Sequence, residues 1–310
     1  MKMAIASNIV LDRIIDRDRN IFESLGGPAC YSGLTARRFG LDVIIATKIG
    51  IDFSYENMDF LKENGIMLNK HHAISDEFPT TRFQINLNKE EEKEEERQLI
   101  LSSKCSPLTI EDVQDIRTDC WLISPIIDEV PPNVLKTLVQ DGKTTNFVML
   151  DPQGYTRVVN SSGQISLLKN LQLDLSGITA LKADKNELGA LTKGLQGLAG
   201  MRLLQSTYGI SFVISTEDTL IQFLHNDTHY WIKLQEMDTT DSTGLGDILS
   251  SAFCCALLKE KDPLWAICFG AGAVTAALDT RKTGLNKVPS KSKIENDASY
   301  FYNTISFRRL

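Results

Sequence analysis

Short apolar runs and amphipathic stretches alternate along this chain, and their two periods separate strands from helices. Met3 to Val10 reads as a first, short strand, followed by a polar stretch that opens at Asp12 and includes Ile-Ile-Asp-Arg-Asp-Arg at 14–19. A Gly-Gly-Pro turn comes next at Gly26, Gly27 and Pro28. Ala29 to Phe39 has the spacing of a helix closed by Gly40, and Leu41 to Gly50 that of a buried strand. The alternation returns with strands predicted at Cys120 to Ser124, Phe147 to Asp151, Ile178 to Lys182 and Ile210 to Ser215, and with a helix at Pro132 to Gln140. Strands separated by helices predict the α/β class: a mostly parallel central sheet with helices on both faces. No repeat period or Pro-rich linker divides the chain, so residues 1–310 are expected to form one domain.

One region departs from that rhythm. Thr80 to Leu87 and Gln98 to Ser102 are β-rich runs on either side of the charged Lys89 to Arg97, which reads as a solvated hairpin tip. They predict a small β-sheet standing off the main domain, with strands within about 12–25 and 80–104, placed to cover a pocket as a lid.

Composition narrows the function classes. The 310 residues are 42% hydrophobic and 24% charged, ordinary for a soluble globular protein. Lys and Arg number 33 against 40 Asp and Glu, a net charge of −7, and no basic cluster appears; a nucleic-acid partner is therefore disfavoured. No apolar run reaches the ~18 residues that span a bilayer, and charges come too early in the chain for a signal peptide, so a cytoplasmic protein without membrane contact is expected. Cys30, Cys105, Cys120, Cys254, Cys255 and Cys268 show no Cys-x-x-Cys spacing and read as reduced core thiols. His71 and His72 would face opposite sides of a strand, and His225 and His229 bracket a turn-like Asn-Asp-Thr; neither pair suggests a metal site.

The most informative stretch is Thr239 to Asp247, which follows the strand-like run at 229–234 and precedes a helix-like run from Ile248. Its glycines let backbone N–H groups converge at a helix N-terminus, where they and the helix dipole suit an anion such as a transferring phosphoryl group. Asp247, at the start of that helix, can take a proton from a hydroxyl beside the hole, or it can simply cap the helix. No G-x-x-x-x-G-K-[ST] P-loop and no protein-kinase motif set is present. A second glycine cluster runs from Phe269 to Leu278; its small residues at helical spacing mark close packing or a helix lying against a flat ligand.

Taken together these motifs resemble the ribokinase-like (PfkB) family of sugar and nucleoside kinases over nearly the whole chain. The family's D-T-x-G-A-G-D is matched by Asp241-Ser242-Thr243-Gly244-Leu245-Gly246-Asp247, its Gly-Gly pair before a helix by Gly26 and Gly27, and its G-x-D by Gly50-Ile51-Asp52. The resemblance implies a ribokinase-like sheet with a small β lid, ATP with Mg2+ as cofactors, and phosphoryl transfer to the hydroxyl of a small-molecule sugar or polyol. It implies Asp247 as base and the amides of Gly244, Leu245 and Gly246 as anion hole. The helix dipole is expected to keep Asp247 ionised, so that its usefulness comes from placement rather than from a raised pKa. Asp12 takes the place of the aspartate that grips acceptor hydroxyls, with Gly26, Gly27, Tyr31 and Asp52 around the substrate. Asp184 and Glu187, in Leu-Lys-Ala-Asp-Lys-Asn-Glu-Leu, fall on the N-x-x-E element and would hold magnesium through water. Ser215, Gly272, Thr283 and Gly284 fall where the family contacts the nucleotide, and a homodimer through the lid is implied as well.

The chain also departs from the family pattern. Leu245 replaces a small residue of the anion hole, Asp184 replaces Asn, and Tyr31 stands where ribokinase carries a substrate-binding Asn. The glycines expected after Phe-Val-Ile-Ser are missing, because Ser-Thr-Glu-Asp-Thr-Leu runs on from Ser215. Asp151 to Arg157 follows a strand and resembles the inositol-kinase branch; there Gln153 and Arg157 are candidates for a polyol, or Arg157 makes a surface ion pair. A cyclic polyol such as myo-inositol is the expected acceptor, with a nucleoside kinase and a non-catalytic ligand-binding relative as alternatives.

Overall fold

The central strands are apolar at nearly every position, the pattern of parallel strands covered on both faces. The computed structural model describes residues 1–15, 19–69, 73–86, 98–140, 147–237 and 241–310. From the N-terminus the elements are β1 (Lys2–Ala6), β2 (Val10–Ile15), β3 (Ile21–Gly26), α1 (Gly27–Arg38), β4 (Asp42–Ala46), β5 (Ile49–Gly50), α2 (Tyr55–Glu63) and β6 (Ile66–Leu68). The middle gives β7 (Ile74–Ser75), β8 (Thr81–Asn86), β9 (Gln98–Ser103), β10 (Cys120–Ile123), α3 (Pro132–Gln140), β11 (Val148–Leu150), α4 (Gln153–Thr156), β12 (Arg157–Val159) and β13 (Ile165–Leu167). Then come β14 (Ala180–Asp184), α5 (Lys185–Leu191), α6 (Gly197–Tyr208), β15 (Phe212–Glu217), β16 (Leu220–His225), β17 (Thr228–Lys233), α7 (Leu245–Glu260), α8 (Pro263–Asp279), α9 (Lys291–Thr304) and β18 (Ser306–Arg309).

Among the described residues, ten strands form the main sheet in the order β18-β17-β16-β15-β14-β11-β10-β1-β4-β6. From β6 to β15 neighbours run parallel, and β16, β17 and β18 add an antiparallel edge. Alternation along β1 divides the core between the two faces. Met3 and Ile5 join Leu34, Phe253 and Ile267 of α1, α7 and α8, while Ala4 and Ala6 join Val134, Leu138, Met201 and Leu204 of α3 and α6. A second sheet, ordered β3-β2-β8-β9, packs Val10 and Phe83 against Ile126 and Ile127.

Two strands expected to be continuous are broken, and by the same chemistry. The run Met3 to Val10 leaves the main sheet at Ala6, because Asn8 N–H donates to the buried Glu129 (3.1 Å) and Asn8 Oδ1 accepts from Lys48 N (2.8 Å). Val10 then starts β2, so Asp12 lies within the second sheet rather than after the first strand. The run Leu41 to Gly50 splits into β4 and β5, since Thr47 N–H donates to Asn69 Oδ1 (3.1 Å) in place of a ladder partner. Gly26-Gly27-Pro28 makes no separate turn: Gly26 ends β3 and Gly27 opens α1, with Pro28 in its first turn. All six cysteines are buried free thiols. Residues 16–18, His71, His72, Leu87, the charged run Lys89 to Arg97, Thr239 and Thr240 lie outside the described residues.

Candidate active site

α7 starts at a residue that only glycine can occupy without strain. Gly244, its N-cap, has φ +78, and a Cβ there would meet Cγ of Tyr31 at 2.5 Å. Tyr31, expected around the substrate, is fully buried with its ring beneath this loop. The first-turn amides of a helix lack intrahelical acceptors; of those assigned to the anion hole, Leu245 N–H makes one long bond back to Ser242 O, 3.4 Å. Lys182 lies against this turn, since a Cβ on Gly246 would sit 2.9 Å from its Nζ.

Asp247 is the third residue of α7, and its side chain does not cap the helix. Instead its Oδ1 accepts from Gln153 Nε2 at 3.0 Å, across the carboxyl edge of the sheet. Gln153 also donates to Ser124 Oγ (3.3 Å), and its Oε1 accepts from Arg157 Nη2 (2.9 Å), while Arg157 Nη1 is anchored on Ile126 O (2.7 Å). Gln153 and Arg157 are therefore brought to Asp247 and orient it. Burial and then the Asp151 carboxylate push the Asp247 carboxyl from 3.8 up to about 6, against Lys182, the Gln153 bond and Arg157. This corrects the expectation that the helix dipole leaves the group at an ordinary value; removal from water outweighs the dipole.

Beside Asp247 stands a charge cluster that motif reading missed. Lys182, buried within the apolar β14, places Nζ 3.0 Å from Asp151 Oδ2 and 3.9 Å from Glu187 Oε2. Burial alone would lower the Lys182 ammonium, but Asp151, Glu187 and Asp184 outweigh it and hold the group above its usual value. Asp184 and Glu187 form a capping box on α5: Asp184 Oδ1 accepts from Glu187 N (2.8 Å) and Glu187 Oε2 from Asp184 N (2.7 Å). Burial, reinforced by Asp151 and Asp184, raises the Glu187 carboxyl despite Lys182. The four carboxyls of Asp151, Asp184, Glu187 and Asp247 thus gather around Lys182, with Arg157 acting on Asp247. That surplus of hard oxygen donors fits Mg2+. Among the described residues no three metal-ligating side chains converge as a direct cage, so magnesium would be held through water and substrate phosphates.

The remaining candidates lie elsewhere. Asp12 is buried beneath Gly26, where a Cβ would overlap its carboxylate at 1.8 Å, and it raises the Cys30 thiol of α1 after burial has done so. Asp12 and Asp52 share a cleft of about 450 Å³ with Ser24, Asn57 and Arg82. Asp52 accepts from Thr80 N and Oγ1 (both 2.8 Å) and pairs with Arg82 at 2.6 Å. Those contacts overcome its burial and hold its carboxyl at about 2. Arg82 is a second residue that sequence reading did not single out. Thr283 and Gly284 line an adjoining cleft of about 440 Å³ with Ser24 and Leu25. Two nucleotide candidates are internal. Ser215 is buried in β15, paired in register with Ala183 and Gln222. Gly272 lets α8 close onto α9, where a Cβ would lie 2.8 Å from Ala298 N and Ile294 O. The α1 helix links the two regions: Ser32 Oγ donates to Asp247 O (3.2 Å) and Ser251 Oγ to Ser32 O (2.8 Å).

No protein-family model and no curated protein matches the chain. Solved structures do. A pyrophosphate-dependent myo-inositol-1 kinase converted by mutation into a myo-inositol-3 kinase is 20% identical, with TM-score 0.78 over 97% of this chain and 99% of that one. A ribokinase from Thermotoga maritima is 18% identical, with TM-score 0.73 over 96% and 99%. A double-mutant fructokinase from Vibrio cholerae O395, bound to fructose, ADP and potassium ion, is 15% identical, with TM-score 0.76 over 96% and 98%. The likeness is one of fold: the chain has the ribokinase-like α/β fold, with its mostly parallel sheet and separate small sheet.

Proposed function

We propose that this protein is a sugar or polyol kinase that transfers a phosphoryl group to a hydroxyl, with Asp247 as base. The observation that carries this reading is the Asp247 carboxyl itself: buried, raised to about 6, at the start of α7, and bonded to Gln153 rather than to its own helix. Such a group is ionised at neutral pH and basic enough to take the proton of an attacking hydroxyl. The acceptor oxygen gives that proton to Asp247 as it bonds to phosphorus, while the bond from that phosphorus to the donor's bridging oxygen breaks and the rest of the donor leaves with the bonding pair, as ADP from ATP or phosphate from pyrophosphate. The amides of Gly244, Leu245 and Gly246, the α7 dipole and Lys182 stabilise the charge on the transferring group. Arg157 and Gln153 hold the base in place throughout. Asp184 and Glu187 would hold Mg2+ through water, and magnesium bound there supplies neutralising charge to the donor phosphates.

The polar cleft of Asp12, Asp52 and Arg82 supports a cyclic polyol, myo-inositol being the specific choice, over a nucleoside, which needs apolar surface for its base. The second sheet is read as a lid over that cleft, and exposed Ile21 and Phe22 on its edge strand β3 support a contact there between two copies. Buried free thiols support a cytoplasmic location. ATP is one donor. A second reading, pyrophosphate, is favoured by the internal positions of Ser215 and Gly272 and by the tight β15–β16 hairpin, where Glu217 pairs directly with Leu220. Three of the similar structures are of pyrophosphate-dependent kinases.

The test is a matrix of donors and acceptors with Mg2+: ATP or pyrophosphate against myo-inositol, hexoses, ribose and adenosine, with products identified by phosphorus NMR. Transfer to a cyclic polyol or hexose ahead of ribose and adenosine is expected. Adenosine as best acceptor would replace the polyol reading with a nucleoside kinase. Binding of polyol without transfer from either donor would make the chain a non-catalytic relative.

A further inference from the structure

One buried cation takes no part in the chemistry just described. Lys287 ends a short 3-10 turn between α8 and α9, and its side chain is 1% exposed. Its ammonium lies 2.7 Å from Asp241 O, 2.9 Å from Thr243 O and 2.6 Å from Asp241 Oδ2. Asp241 in turn accepts from Thr243 N (2.8 Å) and Gly284 N (3.0 Å), so one carboxylate ties the loop before α7 to the segment after α8. Burial would raise that carboxyl, but Lys287 leads the groups that hold it low. Two main-chain carbonyls and a carboxylate around a single positive charge are the oxygen set that a bound monovalent cation would take.

The geometry has a directional effect on the anion hole. Thr243 C=O and Gly244 N–H belong to one planar peptide, and in a trans peptide they point opposite ways. No cis peptide is present among the described residues. Once Thr243 O is drawn to the Lys287 ammonium, Gly244 N–H is aimed to the other side of the loop. Tyr31 closes the space beneath, with Lys287 Nζ 5.9 Å from its ring centre and Gly244 packed on the same ring.

We propose that Lys287 is a positioning residue that serves as a built-in cation, fixing the loop at 241–244 so that its amides face the transferring phosphoryl group without any bound monovalent ion. This rests on the kinase reading for its catalytic effect, but the cation pocket can be tested apart from it. The experiment uses the full chain and Lys287→Ala, with tetramethylammonium, potassium or ammonium as the monovalent cation, and reads both melting temperature and transfer rate.

The parent is expected to melt and turn over alike in all three salts. Lys287→Ala is expected to lose about a hundredfold in kcat, the scale of a lost anion-hole donor. Potassium or ammonium should restore at least about tenfold of that loss, and should raise the variant's melting temperature saturably where tetramethylammonium does not. A purely structural lysine would show no such cation selectivity. A parent that needs potassium, a variant that matches the parent without it, or a folded variant with no cation-specific response in either readout overturns the proposal. If no acceptor is phosphorylated, the kinase reading fails, and the melting response still decides whether Lys287 fills a cation pocket. Should Lys287→Ala not fold, Lys287→Met, which refills the stem, takes its place. If neither folds, the parent decides: indifference to potassium upholds the proposal and a specific potassium response sinks it.

Discussion

For Asp247→Asn the site sets two effects of opposite sign. The folded chain holds this proton more tightly than the unfolded chain, about 6 against 3.8. The stabilising contribution of the protonated group is therefore complete below the unfolded value and is lost as pH rises through about 6. A gap of about 2 on the pH scale corresponds to roughly 3 kcal/mol, so at pH 7 the ionised carboxylate weakens the fold by that order. Asparagine keeps an oxygen for Gln153 and never ionises. The variant is expected to gain up to about 3 kcal/mol of stability at pH 7, with the gain shrinking toward pH 4. It should lose ~10²–10⁴-fold in kcat at the same time, with donor binding largely intact. In the parent, the ionised fraction falls from about 0.9 at pH 7 to about 0.1 at pH 5, so kcat/KM should drop about tenfold over that range. Urea denaturation at the two pH values and a pH–rate profile measure all of this. A variant that is less stable than the parent at pH 7, or equally active, or a parent with a flat profile between pH 7 and 5, refutes the reasoning.

Gln153→Ala removes a hydrogen bond that lowers the Asp247 carboxyl, so the acid limb of the rate profile should move to higher pH. A loss of roughly ten- to a hundredfold in kcat/KM should accompany it, the scale of a bond to an ionised group; an unmoved limb would remove Gln153 from the base's surroundings. Gly244→Ala combines a left-handed backbone with a collision on the Tyr31 ring and should cost at least about 1–3 kcal/mol in a denaturant titration. Wild-type stability in that variant would mean that the loop does not sit on Tyr31.

The alternation of apolar runs and helices was enough to predict the parallel sheet, because β10, β11 and all of β1 beyond Lys2 are buried and carry no solvent-facing side chains to confuse the period. The breaks at Ser7 and Thr47 were not legible. They depend on side-chain amides of Asn8 and Asn69 substituting for ladder partners, and those pairings join residues about 20 to 40 positions apart. At the site, the glycine turn placed Asp247 at the start of a helix, but whether it capped that helix depended on the reach of Gln153 from a different strand end. Lys182 and Lys287 were passed over because a lysine read in isolation belongs on the surface. A lysine inside Ala-Leu-Lys-Ala, a stretch otherwise apolar, was the one available signal for Lys182. For Tyr31, likewise, a place in a motif says nothing about which way α1 turns its ring, and the ring lies buried beneath the loop before α7.

The junction between β3 and α1 joins the polar cleft to the backbone of Asp247. β3 borders the cleft that holds Asp12, α1 carries Ser32 against the backbone of Asp247, and no residue separates the two elements. A swing of the small sheet therefore acts as a lever on the first turn of α1 unless a single joint absorbs it. Gly27 is that joint: its φ of +75 lies where other residues are strained, and a Cβ there would strike Val10 at 2.9 Å. On the proposed function, a stiffer residue here would tie the cleft that takes the acceptor rigidly to the loop at 241–244, and the glycine is the one place at this junction where a movement of the small sheet can be taken up.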